Sequence, residues 1–166
     1  SIESKGASRA KAMLSTHLDN IQLQQARKRA RILRAEMPAL DLVLQRSKEQ
    51  DLLAAAAQGD LSLVQDLMKS GVDANAINAL GRTPAIAAAW RGHGDVVDLL
   101  INSGVEIDAA DNQGRTALTW AAINGHPVII NKLLAADALV DVRDTKGLTP
   151  LIRAAWNGHE EVVAAL

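Results

Sequence analysis

The chain has 166 residues, of which 48% are apolar and only 2% aromatic, and it contains no Cys, Phe or Tyr. Without Cys it can form neither a disulfide nor a thiolate metal site. It shows no signal peptide, and no apolar run approaches the roughly 18 residues of a membrane span.

Two regions of opposite charge make up the net charge of −1. Residues 1–50 carry ten Lys/Arg and five Asp/Glu, a net of +5, whereas residues 51–166 carry eight and fourteen, a net of −6. Such a division indicates two regions with different roles, or two complementary surfaces. Because aromatics are scarce, the core must be built from Ala, Leu, Ile and Val, which favours an all-helical fold with closely approaching helices.

Residues 1–49 are predicted to form a basic helical extension. An apolar stripe at helical spacing predicts a helix that ends or bends at Pro38; it consists of Leu23, Ala26, Ala30, Leu33 and Met37. The stretch "ALDLVLQRSKEQ" predicts a further short helix.

A basic patch lies largely outside this stripe, at Arg27, Lys28, Arg29, Arg31 and Arg34. The first interpretation is the solvated face of a helix that caps the following domain. Contact with phosphate, from nucleic acid or a membrane, and a nuclear import signal are the alternatives. The absence of interleaved aromatic side chains for base stacking weakens the case for single-stranded nucleic acid.

From residue 50 onwards the sequence repeats every 33 residues. "GRTPAIAAAWRGH" begins at 81, "GRTALTWAAINGH" at 114 and "GLTPLIRAAWNGH" at 147, and Gly59 and Gly71 place a divergent unit before them. Each unit is predicted to be helix, turn, helix and loop. A Thr hydroxyl caps the first helix, Pro opens two of the three first helices, and Gly supplies the left-handed residue at their ends.

The second helix of each unit carries a buried apolar cluster, such as Val96, Val97 and Leu100. Two short helices cannot bury their faces alone, so neighbouring units must stack into one continuous core. Pairs of Ala on the first helices allow the helix axes to approach closely.

These units resemble the ankyrin repeat family, through the period, the variant T-P-L-H-x-A boxes "TPAIAA", "TALTWA" and "TPLIRA", and the G-H turn. The resemblance implies an ankyrin solenoid over residues 50–166, in units that begin near 50, 81, 114 and 147. The box His is replaced by Ile86, Thr119 and Ile152, and Asp137 stands where Gly is expected. We expect the last unit to be truncated at Leu166 and further protein to follow.

Equal spacing of His93, His126 and His159 raises the possibility of a metal site, but geometry opposes it. Equivalent positions in stacked helices lie about 8–10 Å apart, whereas zinc sits about 2 Å from each ligand nitrogen. These residues are instead predicted to be turn histidines that cap local backbone groups. With no nucleophile–base set or phosphate loop identifiable, we expect no enzyme activity, metal or cofactor.

In ankyrin proteins the end of the first helix and the adjacent loop tips line a concave groove that holds a partner. Transferred position by position, the resemblance implies a partner-binding face on the helices at Trp90, Arg91, Ile123, Asn124, Trp156 and Asn157. Trp120 and Arg153 lie one helical turn earlier. On the loops it implies Arg82, Arg115, Lys146 and Leu148, with Leu80 and Gln113. Trp and Arg are enriched at binding hot spots, although each Trp could instead fill a gap between repeats.

The resemblance therefore predicts a module that binds another protein and acts as a scaffold or adaptor. The alternative is a dedicated inhibitor or antidote that occludes the active site of a partner enzyme. We expect a monomer, and nucleic-acid contact through the basic patch is the least favoured reading. The compartment stays open: the cytoplasm is the default, and the periplasm or secretion remains possible if Ser1 is a processed end.

Overall fold

A computed structural model describes residues 22, 24, 25, 27–29, 31, 32 and 41–166. By its internal contacts the chain divides into residues 1–44 and 45–166. Within residues 1–44 the basic residues Arg27, Lys28, Arg29 and Arg31 are helical and exposed. Arg34 and the predicted apolar stripe from Leu23 to Met37 lie outside the described residues.

Residues 41–166 are built from short helices that follow one another in pairs. A helical run over 41–58, α1, is followed by α2 (Leu61–Lys69), α3 (Pro84–Arg91), α4 (Gly94–Asn102), α5 (Ala117–Asn124), α6 (Pro127–Ala135), α7 (Pro150–Trp156) and α8 (Glu160–Ala165). No strand occurs among the described residues, which confirms the all-helical prediction for them. None of their helices is long and apolar enough to cross a membrane.

The first helix of each full unit begins at a threonine cap, as the repeat predicts. The hydroxyls of Thr83, Thr116 and Thr149 accept the N–H of the residue three positions on. Gly92 and Gly125 then end α3 and α5 in the left-handed region, with φ of 86° and 69°. Asp137 also lies in the left-handed region, with φ of 59°, at the position that Gly104 occupies in the preceding repeat.

Corresponding helices of successive repeats pack against each other. α3 packs on α5 and α5 on α7, while α2, α4, α6 and α8 form the second series. One apolar cluster runs through residues 45–166, from Leu52 and Val64 to Val162, and includes the second-helix residues Ile130 and Leu133 at 0% exposure. The units therefore share one core.

The three turn histidines join neighbouring repeats, and the prediction that they cap local groups was wrong. Nε2 of His93, His126 and His159 lies 3.0, 3.4 and 2.9 Å from the carbonyl oxygens of Ala57, Trp90 and Ile123, each 36 residues earlier. Their rings also fill the space beside the turn glycines. A Cβ on Gly92 would come within 2.9 Å of the His126 ring.

Alanines let the first helices approach each other, and this yields a stability prediction. Ala122 is fully buried in α5, whereas Ala155, the same position one repeat later, is exposed. Extra methylenes in a tightly packed site cost about 1–3 kcal/mol. We therefore expect Ala122→Leu to lower the free energy of unfolding by about that amount, and Ala155→Leu to change it by less than about 0.5 kcal/mol. Urea denaturation measures both, and equal losses would contradict the stacking.

Candidate functional site

Two tryptophans from neighbouring repeats meet between α3 and α5. The ring centroids of Trp90 and Trp120 are 5.6 Å apart and the planes are tilted by 49°. The guanidinium of Arg82 lies over both rings, 4.5 Å from the centroid of Trp90 and 4.6 Å from that of Trp120. At these distances a cation is attracted to the electron-rich face of an indole. One arginine thus joins the two first helices.

Two further arginines extend this contact at either end. The guanidinium of Arg91 lies 4.4 Å from the Trp90 centroid, and that of Arg115 lies 4.9 Å from the Trp120 centroid. Each of the two rings is therefore in contact with two guanidinium groups. Beyond Arg115 the series continues through the carboxylate of Asp144 to Arg153 on α7. We refer to this set as the tryptophan–arginine row: Arg91, Trp90, Arg82, Trp120, Arg115 and Arg153.

Two buried aspartates hold the row in place. Asp111, 7% exposed, accepts the indole N–H of Trp120 at 2.9 Å through Oδ2 and lies 4.0 Å from Nε of Arg82. Its Oδ1 accepts the backbone N–H groups of Gln113 and Arg115, which shapes the loop before α5. One carboxylate therefore fixes the loop conformation and the orientation of the Trp120 ring together.

The next repeat uses the same geometry with a different partner. Asp144 is 5% exposed, and its Oδ1 accepts the N–H groups of Lys146 and Leu148. Its Oδ2 accepts from Nε and Nη2 of Arg153, the residue that stands where Trp120 stands one repeat earlier. The ion pair with Arg153 thus replaces the indole hydrogen bond.

Hydrogen bonding controls the ionisation of Asp144. Burial by itself raises the pKa of this carboxyl, but donation by Arg153 and by the two backbone N–H groups, together with the Arg153 charge, outweighs it. The pKa of Asp144 therefore lies below its ordinary value, and the ion pair is charged at neutral pH.

Exposure separates the predicted partner-binding residues into three groups. Trp120 is 7% exposed and can offer a partner little more than a ring edge. Trp156, at 74%, is exposed, as are Arg91, Lys146 and Asn157. The rest are half-buried: Arg82, Trp90, Arg115, Ile123, Asn124, Leu148 and Arg153. Helix spacing places Trp156 one turn after Arg153 on the same side of α7.

The sequence analysis did not select Asp111 and Asp144, although a signal for them was present. Both stand three residues before a unit glycine, and Asn78 holds the same place before Gly81. Asn78 uses Oδ1 to accept the N–H groups of Leu80 and Arg82, as the aspartates do in their loops. An Asn or Asp at this position in the loop predicts a turn. The side chain that donates to Oδ2 of each aspartate is seen only in the structure.

Among the described residues no cluster of three or more His, Asp, Glu or Cys could hold a metal ion. The turn histidines each contact a backbone carbonyl of the preceding repeat. The tryptophan–arginine row and its aspartates bring together guanidinium and indole groups, and Trp and Arg are the side chains most enriched at binding hot spots.

Comparison with protein-family models matches the helix pairs to a known repeat. The family described as "Ankyrin repeats (3 copies)" matches residues 52–144, and that described as "Ankyrin repeat" matches residues 146–166. The chain belongs to the ankyrin repeat family, which confirms the resemblance seen in the sequence. Ankyrin repeats are generally protein–protein interaction modules and typically non-catalytic. No curated protein matches the chain.

Proposed function

We propose that this protein is a scaffold or adaptor that holds a partner protein on the surface formed by the tryptophan–arginine row and Trp156. The row supports this role because its side chains are already ordered: the stacking and the aspartate contacts fix several rotamers before any partner arrives. A preordered surface loses less conformational entropy on binding. The single observation that carries the proposal is Arg82 stacked on two tryptophans of successive repeats.

A second candidate is an inhibitor or antidote that covers the active site of an enzyme. It would use the same surface and the same steric action, so the surface alone does not separate it from an adaptor. The identity and activity of the bound protein separate the two. A partner enzyme that loses activity in the complex supports inhibition, and one that keeps it supports tethering.

The binding test changes only exposed residues, so that loss of fold does not imitate loss of binding. The double variant is Arg91→Ala, Trp156→Ala, in which both replaced side chains are exposed in the wild type. Truncation of a Trp or Arg hot spot costs at least about tenfold in affinity. The matched control is Val128→Ala, Leu139→Ala, which removes exposed apolar groups outside the row. Circular dichroism checks that both variants fold.

The measurement is a pull-down from native lysate with the immobilised full chain, read by mass spectrometry. We expect one protein to be retained by the wild type and by the control and to be lost with Arg91→Ala, Trp156→Ala. A protein retained equally by all three chains would place binding elsewhere. The basic patch at Arg27 to Arg31 would then be the next surface to change.

A further inference from the structure

Charge is distributed unevenly within residues 45–166. This part of the chain carries ten Lys/Arg and fifteen Asp/Glu, a net of −5. The tryptophan–arginine row with Asp111 and Asp144 carries four positive and two negative charges, a net of +2, so the remainder carries −7. Both aspartates are buried, and the Arg91 guanidinium is exposed. A positive surface on a negative domain favours partners with a local negative charge and orients them as they approach.

Two of these arginines keep donors that the described residues leave unpaired. Nε of Arg82 and Nε of Arg115 are buried and have no hydrogen-bond partner in the part of the chain that the structure describes. Each lies 4.0 Å from an aspartate oxygen, a distance that allows charge attraction but no hydrogen bond. The two guanidinium groups are thus held chiefly by stacking on indole rings. Because both Nε atoms are buried, the groups open to an acceptor on a partner are the outer Nη groups of these side chains, which are 18% and 15% exposed.

Nucleic acid fits this surface poorly. A base binds by stacking on an aromatic ring, but Trp90 contacts Arg82, Arg91 and Trp120, and Trp120 contacts Arg82, Arg115 and Trp90. The rings of Trp90 and Trp120 are therefore already covered, and only Trp156 of this surface is left to stack a base, whereas single-strand binding stacks successive bases on several aromatic side chains. The net charge of −5 on residues 45–166 also opposes a long polyanion. Carboxylates spaced along a peptide need only a local positive surface, and the planar fork of a guanidinium matches a carboxylate well.

We propose that the partner segment held by the tryptophan–arginine row is acidic: a stretch of polypeptide whose Asp or Glu carboxylates accept from Arg82, Arg91 and Arg115. This inference rests on the proposed function, because it names the chemistry of the partner for the same surface. Trp156, 74% exposed, supplies the apolar contact beside these charges. The arginines choose the partner by charge, and the tryptophan adds affinity.

The test uses two charge-reversal variants with identical net charge. Arg91→Glu reverses the charge of the exposed arginine of the row. Lys69→Glu reverses an exposed lysine on α2, in the series of second helices, whereas the row lies on the first helices and the loops before them. The probe is a short fluorescein-labelled peptide of Glu, Asp and Leu, and its Kd for each full chain is measured by fluorescence anisotropy at low ionic strength. Two further probes are the matched peptide of Lys, Arg and Leu, and a single-stranded oligonucleotide of equal charge.

We expect the acidic peptide to bind the wild type, to bind the row variant about tenfold more weakly, and to bind the control variant within about twofold of wild type. Equal weakening in both variants, or in neither, overturns the proposal; the second result would place the peptide on the basic patch at Arg27 to Arg31. Tighter binding of the oligonucleotide or of the basic peptide at the row also overturns it. If a cellular protein still depends on Arg91 and Trp156 while the acidic peptide fails, the adaptor function stands and only the acidic partner is wrong.

Discussion

Replacement of Leu133 by Ala is expected to lower the free energy of unfolding by about 2–5 kcal/mol. Leu133 lies in α6 at 0% exposure, in the second helix of an internal repeat, and belongs to the apolar cluster that all the repeats share. Its removal leaves a cavity between α6 and the helices that pack on it, α4, α5 and α8. Because each repeat is stabilised mainly by its two neighbours, damage to an internal unit weakens two interfaces together.

The measurement is urea unfolding followed by circular dichroism, with Val128→Ala as the matched control. Val128 lies in the same helix but is 64% exposed, so its truncation should change the free energy of unfolding by no more than about 0.5 kcal/mol. A fall in the denaturant slope with Leu133→Ala would show that the stack no longer unfolds as one unit. Losses of the same size in the two variants would contradict a shared core.

The repeated sequence predicted most of the backbone because each unit contains its own capping and turn residues. A threonine cap, a proline at the first helical position and a left-handed glycine act within a few residues, so they can be read without knowing the neighbours. Thr83, Thr116 and Thr149 behave alike in the structure for this reason. Asp137 shows how firmly the backbone follows the repeat, since it adopts the left-handed turn with φ of 59° although it has a side chain.

The environments of the tryptophans could not be predicted in the same way. Trp90 and Trp156 occupy the same repeat position, yet Trp90 is half-buried against Trp120 and two arginines, whereas Trp156 is 74% exposed. The ring of Trp90 is covered by Trp120 of the following repeat, whereas Trp156 lies in the last repeat of these 166 residues and has no such neighbour. Periodicity within one sequence does not show which side chains will meet between repeats. The prediction that the turn histidines contact local backbone groups failed for the same reason, because the carbonyl oxygens they contact lie 36 residues earlier.

The buried aspartates of two successive repeats bind different side chains in the same geometry. In one repeat a buried aspartate holds the indole N–H of Trp120, and in the next it holds the guanidinium of Arg153. The first contact is a hydrogen bond from a neutral donor and the second is an ion pair. Each carboxylate has an arginine Nε at 4.0 Å, but only Asp144 is also hydrogen-bonded to a charged donor, so the two repeats should respond differently to loss of the donor.

Arg153→Met is accordingly expected to destabilise the protein by about 3 kcal/mol at neutral pH, near the lower end of the range for breaking a buried ion pair. Asp144 is 5% exposed and would lose both hydrogen bonds from Arg153, while Arg115, at 4.0 Å, would still moderate the cost. Urea unfolding gives the loss. The control is the double variant Asp144→Asn, Arg153→Met, in which the buried carboxylate that loses its ion pair is also removed. Asn keeps the Oδ1 acceptor for the loop N–H groups, as Asn78 does in its own loop. The double variant should therefore be more stable than Arg153→Met alone.

The dependence on pH follows from the sign of the pKa change. Because the pKa of Asp144 is lower in the folded chain than in the unfolded chain, its contribution is fully present above the ordinary Asp value of about 3.9 and is lost as the pH falls through the folded pKa. Without Arg153, two of the causes that lower the pKa of Asp144 are lost, so this carboxyl is protonated at a higher pH in the variant than in the wild type, and protonation relieves the unpaired charge. The stability difference between the wild type and Arg153→Met should then shrink as the pH is lowered towards 4 and below. A difference that stays constant over this range, or a single variant as stable as the double variant, would mean that Arg153 stabilises the fold by packing on its neighbours and that its charge contributes little.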